Sequence, residues 1–180
     1  MKYLIPCTGK KRCPTLYGEE NRQSSLANLS FNNELGATRN LIIRHYINQL
    51  DWSKCLPAYR LYAGKIFQPI SKDNWSAHGG NVLILSALFG IVKYDDLLPI
   101  YDLKMDSSNN LNIQRRPLAI WSKSGELCNV LAQYNEVTDL LSNAYRDAIG
   151  DCDSLITFND FDRDRGSARG GWLNDQLNNI

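Results

Sequence analysis

The stretch Asn81-Val-Leu-Ile-Leu-Ser-Ala-Leu-Phe-Gly-Ile-Val-Lys-Tyr-Asp-Asp-Leu-Leu-Pro-Ile-Tyr-Asp-Leu-Lys-Met105 decides the fold. It starts as an unbroken apolar run, loses that regularity at Ser86 and Gly90, and continues through Pro99 to the polar-tipped pair Tyr101-Asp102. A short apolar run bounded by turn signals suits a strand covered on both faces in an α/β sheet. Such sheets bind ligands at the carboxyl ends of their strands. Ser86, Gly90, Tyr101 and Asp102 are therefore expected near the ligand end of the sheet.

Working outward, Lys2 to Pro6 reads as a first strand, with the polar segment Cys7-Thr-Gly-Lys-Lys-Arg12 at its carboxyl end. Residues 18 to 30 are polar and aperiodic, which predicts a surface loop. From Asn32 to Leu50 the apolar residues Leu35, Leu41, Ile42, Tyr46 and Leu50 fall near helical spacing, with Ser30 or Asn32 available as a cap. A shorter helix is expected over residues 64 to 72, then a turn over 75 to 80 leading into the strand at Val82. Residues 106 to 112 read as an exposed loop. Pro117 suits the first turn of a helix running through Trp121, followed by another over 124 to 134. Strands over 137 to 141 and 154 to 158 alternate with helices over 143 to 149 and 169 to 177. The alternation predicts an α/β fold: one layered domain over residues 1–180, with a mostly parallel or mixed sheet flanked by helices.

The bulk properties exclude several classes. Twenty basic residues against 19 acidic ones argue against a polyanion binder that relies on global charge, though not against a local basic groove. Cys7, Cys13, Cys55, Cys128 and Cys152 are odd in number and scattered, with no C-x-x-C pair. That pattern speaks against a disulfide framework or structural zinc site and for a reducing cytoplasm. The amino terminus has no apolar signal-peptide core and no segment is long enough to span a membrane, so no membrane partner is expected.

Several groups could carry chemistry. Cys7, Thr8, Lys10 and Lys11 follow a strand, where turn amides, a hydroxyl and ammonium groups can cradle an anion. The spacing is not that of a P-loop, and a solvated strand exit is the plain alternative. Cys7 as a nucleophile would need an activating environment. Tyr62, Gly64 and Lys65 combine a phenol, a flexible residue and an ammonium, a set able to stack a base and contact phosphate. Tyr62 and Phe67 fit equally well as core residues. Ser86 lacks the G-x-S-x-G elbow, and neither His45 nor His78 has a spacing to it that reveals a triad. Tyr101 and Asp102 could orient a ligand or exchange protons, or simply bond their own loop. Asp160, Asp162 and Asp164 alternate with Arg163 and Arg165, which reads as a salt-bridged loop rather than a calcium site. No metal site is expected, and no cofactor is indicated.

Together and in order, the segments Pro6-Cys-Thr-Gly-Lys-Lys11, Leu61-Tyr-Ala-Gly64, Leu83 through Ile91 and Pro99-Ile-Tyr-Asp-Leu103 resemble the YaaA-like superfamily. Leu141-Ser142-Asn143-Ala144-Tyr145 is similar to that family's Ser-x-x-Tyr segment at a strand-to-helix junction. The resemblance implies an α/β fold with a pocket formed by these strand ends, and adds Ser142 and Tyr145 to the candidate ligand-binding residues. The resemblance also brings the associations of the family's namesake: protection from oxidative damage, limitation of free iron and DNA binding. A more distant resemblance is to the domain of archaeosine synthase that modifies a 7-deazaguanine base in transfer RNA.

Two readings of function follow, with a third behind them. In the first, an enzyme-like pocket acts on a nucleobase, nucleotide or nucleic acid. Lys10 or Lys11 holds phosphate, Tyr62 or Tyr145 stacks a base, Asp102 accepts a proton or fixes a polar edge, and Cys7 or Ser86 is the nucleophile if one is used. In the second, Lys10, Lys11, Arg12, Arg163, Arg165 and Arg169 form a basic surface of a noncatalytic DNA-binding or oxidative-stress protein. The third is a phage- or defence-associated interaction protein with a vestigial pocket.

Overall fold

A computed structural model describes residues 1–13, 22–47, 50–107, 116–158 and 166–180. The aspartate- and arginine-rich loop at 160–165, the loop at 108–112 and the first part of the polar excursion at 18–21 lie outside the described residues. The elements run β1 (Lys2–Pro6), α1 (Asn32–Tyr46), β2 (Cys55–Pro57), α2 (Ala58–Leu61), α3 (Lys72–His78), β3 (Val82–Ser86), β4 (Gly90–Lys93) and β5 (Leu97–Pro99). They continue as α4 (Pro117–Ser124), α5 (Glu126–Leu131), β6 (Val137–Asp139), α6 (Asn143–Ile149), β7 (Leu155–Thr157) and α7 (Gly166–Asn178).

The main sheet has five strands in the order β4-β3-β1-β6-β7. β3, β1, β6 and β7 are parallel, and β4 is antiparallel to β3. The expected α/β architecture with a mostly parallel, mixed sheet is therefore present. All five residues of β3 and the three central residues of β1 are buried, as continuous apolar strands in covered parallel sheets should be. A small antiparallel sheet pairs β2 with β5.

Register aligns the strand ends. Pro6 pairs with Leu85 and Leu4 with Asp139, so Cys7, Ser86 and residues 140–142 emerge at one edge of the sheet. The chain leaves β1 for β3 on one side and later reaches β6 on the other. The strand order thus reverses between β1 and β6, and a crevice at such a switch point is where α/β sheets seat ligands.

The stretch from Asn81 supplies more than one central strand. It forms a tight hairpin in which Ser86 pairs with Gly90 across Ala87, Leu88 and Phe89. Gly90 has φ +63°, and a Cβ there would stand 2.8 Å from the Trp121 ring. Trp121 is fully buried, and its indole N–H donates to the Ala87 carbonyl at 3.0 Å. Arg39, on α1, holds the same hairpin: Nε donates to Phe89 O (2.7 Å), and Nη2 to Ile91 O (2.9 Å) and Ser30 O (2.8 Å).

Other local expectations need correction. Residues 64–70 form turns rather than a helix, and the helix is α3, where a turn was expected. Ser71 explains the shift, because its hydroxyl accepts the Asn74 amide as an N-cap. α1 ends at Tyr46, and neither Ser30 nor Asn32 caps it. Its N-cap is Phe31 in a left-handed conformation, and Ser30 bonds Asp96 instead. Cys128 and Cys152 are joined as a disulfide, a single bridge where the scattered cysteines spoke against a disulfide framework, while Cys7 and Cys55 are free. The sequence separation of 24 hides a pairing that the β6–α6–β7 path brings about.

Candidate functional site

The strand-end site is built from four segments. β1 delivers Cys7, Thr8 and Lys11. The end of α2 delivers Tyr62, β3 delivers Ser86, and the segment after β5 delivers Tyr101. α6, which follows β6, contributes Tyr145. An antiparallel bridge between Lys11 and Tyr62 locks the first two segments together, with Arg12 N–H donating to Leu61 O and Ala63 N–H to Lys10 O. Gly64 lies against the Thr8 side chain so closely that a Cβ would overlap it, and its amide donates to Thr8 Oγ1 at 3.2 Å.

Inside the site, Ser86, Tyr101 and Tyr62 form a chain of hydroxyls. Ser86 Oγ lies 2.8 Å from Tyr101 Oη, which lies 2.7 Å from Tyr62 Oη. Ser86 Oγ also accepts the amides of Leu88 (3.2 Å) and Phe89 (2.9 Å). Those two amides fill both lone pairs of the serine oxygen, so its proton goes to Tyr101. Two phenol protons then share one Tyr101–Tyr62 contact. One phenol proton is left for an acceptor beyond the trio.

Charge sits directly above. The Lys11 ammonium stands 4.2 Å from the centre of the Tyr101 ring and donates to Thr8 O at 3.1 Å. Burial lowers the Lys11 pKa, and its electrostatic interaction with Cys7 and Asp102 opposes that shift. Burial pushes the Tyr62 and Tyr101 phenols well above their usual range, and their electrostatic interaction with Cys7 pushes in the same direction. Tyr145 is raised in the same way, by burial first and by Cys7 second. Its hydroxyl lies 3.1 Å from Cys7 Sγ. The site is thus rich in hydrogen-bond donors and carries one partly desolvated cation, a combination that favours an anionic or acceptor-rich ligand.

The other sequence candidates lie farther out. Asp102 is exposed, close enough to Lys11 to act on its charge. Lys10 is exposed, and Thr8 Oγ1 donates to its carbonyl. Ser142 is exposed at the start of α6 and makes no side-chain cap bond. Gly90 is buried in the hairpin against Trp121, where its observed role is conformational. Arg169 donates to the carbonyls of Leu140 and Leu141, which ties it to the loop after β6.

Sequence reasoning missed two features. The first is the anchor of the β6–α6 turn. Asp139 is buried, accepts the Leu141 amide at 2.7 Å and meets Arg146 Nε at 2.6 Å. An Asp seven residues before an Arg carries no signal unless the turn between them is known. The second is a groove of about 920 Å³ lined in part by Arg12 and Ala63, next to the Lys11–Tyr62 bridge. Its aromatic floor comprises Tyr59, Trp75 and Tyr94, with Trp75 parallel to Tyr94 at 6.3 Å, and Arg12, Arg22, Arg60 and Lys72 line the walls. These residues are dispersed over the chain and show no common period.

Among the described residues, no group of three or more His, Cys, Asp or Glu side chains is placed to hold a metal ion, and no helix is long and apolar enough to cross a membrane.

An α/β protein with a donor-rich cluster of side chains at the switch point of its sheet is the class that fold and geometry define. The model of the family described as "Peroxide stress protein YaaA" matches residues 19–169, and the chain belongs to that family. No curated protein sequence matches the chain. The matched span contains Tyr62, Ser86, Tyr101 and Tyr145, while Cys7 to Lys11 precede it.

Proposed function

We propose that this member of the peroxide-stress family is a cytoplasmic, single-domain protein directed at nucleobases or nucleotides, free or within a nucleic acid, through an enzyme-like pocket at the strand ends. The observation that carries this reading is the Cys7–Tyr145 contact of 3.1 Å across the β1–β6 switch point, beside the Lys11 ammonium. Lys11 supplies charge for a phosphate or another anion. The leftover phenol proton of the Tyr62–Tyr101 pair addresses an acceptor such as a ring nitrogen or exocyclic oxygen. Tyr145 offers a ring for stacking. Cys7 is the nucleophile of the cluster if the chemistry is covalent, because Ser86 gives its proton to Tyr101 and its lone pairs to two amides. Asp102, at the rim, is the group that takes up a proton from solvent-facing ligand atoms.

Isothermal titration with free bases, nucleosides and nucleoside 5′-monophosphates tests the reading. Nucleotides are expected to bind the wild type, and Lys11→Met to lose about tenfold, or 1.4 kcal/mol, for phosphate-bearing ligands alone. Equal affinity of the wild type and Lys11→Met for every ligand overturns it.

A second reading, noncatalytic DNA binding, is supported by the groove over Trp75, where four basic side chains surround stacked aromatic rings. Arginine and lysine beside aromatic faces suit single-stranded nucleic acid. Affinity for an oligonucleotide that falls steeply with salt, and that Lys11→Met leaves unchanged, favours this reading over the first.

A further inference from the structure

Away from the strand-end site, Cys128 in α5 and Cys152 in the turn before β7 are bonded to one another. We infer that they form a peroxide-oxidisable dithiol, closed to a disulfide by peroxide and reopened by thiol reductants, and that closure fastens the edge strand β7.

The geometry permits both states. The two Cα atoms are 5.5 Å apart, within the span a bridge requires, so neither closing nor opening demands backbone movement. Both residues are half-buried at the margin of the core, within reach of a small oxidant. The fold does not depend on the bridge as a small secreted domain would, because a continuous apolar core runs from β1 through β3 to α7. Cys7 and Cys55 are free thiols. In the reducing compartment proposed above, a single bridge among free thiols is the mark of a transient, redox-responsive pair.

The bridge has a definite mechanical target. β7 is an edge strand of three residues, none fully buried, that pairs within the sheet with β6. Its approach pivots on Cys152, whose carbonyl accepts the Leu155 amide at 3.0 Å, and the next residue but one, Ser154, accepts the Val137 amide at 2.9 Å. Cys128 lies in a helix whose residues Leu127, Val130 and Leu131 are buried in the core. The bond therefore ties the approach to the outermost strand to a helix buried in the core.

The chemistry balances with peroxide as the oxidant. One thiolate of the pair attacks the peroxide, an S–O bond forms as the O–O bond breaks, and the departing oxygen takes up a proton to leave as water or an alcohol. The second thiolate attacks the resulting sulfenic sulfur, the S–S bond forms as the S–O bond breaks, and hydroxide leaves and is protonated to water. The dithiol loses two electrons and the peroxide gains them.

The test uses the full chain, reduced, exposed to graded hydrogen peroxide, then alkylated under denaturing conditions and mapped by mass spectrometry. The expected result is loss of the Cys128 and Cys152 thiols together as one linked peptide, restored by dithiothreitol without denaturant. Cys55, buried with its thiol on Trp52 O, stays alkylatable and serves as the internal control. In Cys152→Ser, Cys128 is expected to stop at a sulfenic acid that dimedone traps. Amide exchange over residues 152–157 should be slower in the oxidised form. Cysteines that oxidise separately, or a bridge that native-state dithiothreitol cannot open, would overturn the inference. Neither result touches the nucleotide reading, because the strand-end contacts involve other residues.

Discussion

The Cys7 sulfur lies 3.1 Å from the Tyr145 hydroxyl although 138 residues separate them, and the contact joins the residue after β1 to α6, the helix that follows β6. Each residue alone has an ordinary structural use, Cys7 as a buried thiol and Tyr145 as the apolar face of a short helix. Their pairing at the switch point is what makes them candidates for the proposed site. A double-mutant cycle with Cys7→Ala and Tyr145→Phe, read by urea denaturation, is expected to give a coupling of about 0.5–1.5 kcal/mol, the net worth of one hydrogen bond. Additive effects would show that the two groups do not interact in solution.

The phenols make the protein sensitive to alkali. Burial raises the pKa of Tyr62, Tyr101 and Tyr145 above the unfolded value, so above about pH 10 the unfolded chain releases protons that the folded chain retains. This contribution is complete below that pH and falls away as pH rises through it. Denaturation midpoints should therefore drop above about pH 10, and drop less in the Tyr62→Phe, Tyr101→Phe double variant. An identical alkaline profile in both proteins would contradict the burial of these hydroxyls.

Arg39 is the main polar strut of the hairpin that carries Ser86. Its side chain is wholly buried, burial lowers its pKa to about 10, and Asp96, Glu34 and Glu126 act against that shift. Arg39→Met leaves the carbonyls of Ser30, Phe89 and Ile91 without their guanidinium, and is expected to cost about 3–5 kcal/mol by urea denaturation. Arg39→Lys should recover only part of this, since one ammonium cannot reproduce a planar fork.

Gly90→Ala tests the turn itself. The positive φ and the 2.8 Å approach to Trp121 together predict a loss of about 1–3 kcal/mol in thermal or urea unfolding. Gly125→Ala shares the positive φ but has open space for a Cβ, so it should cost less.

Much of the architecture was legible because it follows from local pattern. The apolar runs at 2–6 and 82–86 suit covered strands and form them, and α6 begins and ends at the residues its sequence suggests. The order of short motifs singles out Cys7, Tyr62, Ser86, Tyr101 and Tyr145, which the fold brings together, along with Lys10, Asp102 and Ser142, which are exposed, and Gly90, which lies in the hairpin. What escaped depends on tertiary partners. The antiparallel return of β4 needs Gly90 at positive φ over Trp121, a residue more than two dozen positions away. α3 begins where Ser71 caps it rather than where apolar spacing starts. Arg39 reads as a solvated helix residue until the hairpin carbonyls close on it. The Cys128–Cys152 bond requires β6 and β7 to be placed side by side first.

Amide chemical-shift mapping of the full chain titrated with the four ribonucleoside 5′-monophosphates tests the central claim most directly. The proposed site predicts saturable shifts concentrated at Cys7, Thr8, Lys11, Tyr62 and Tyr145, and their loss in Lys11→Met. Shifts confined to the groove around Trp75 and Tyr94, or none at millimolar nucleotide, would contradict it.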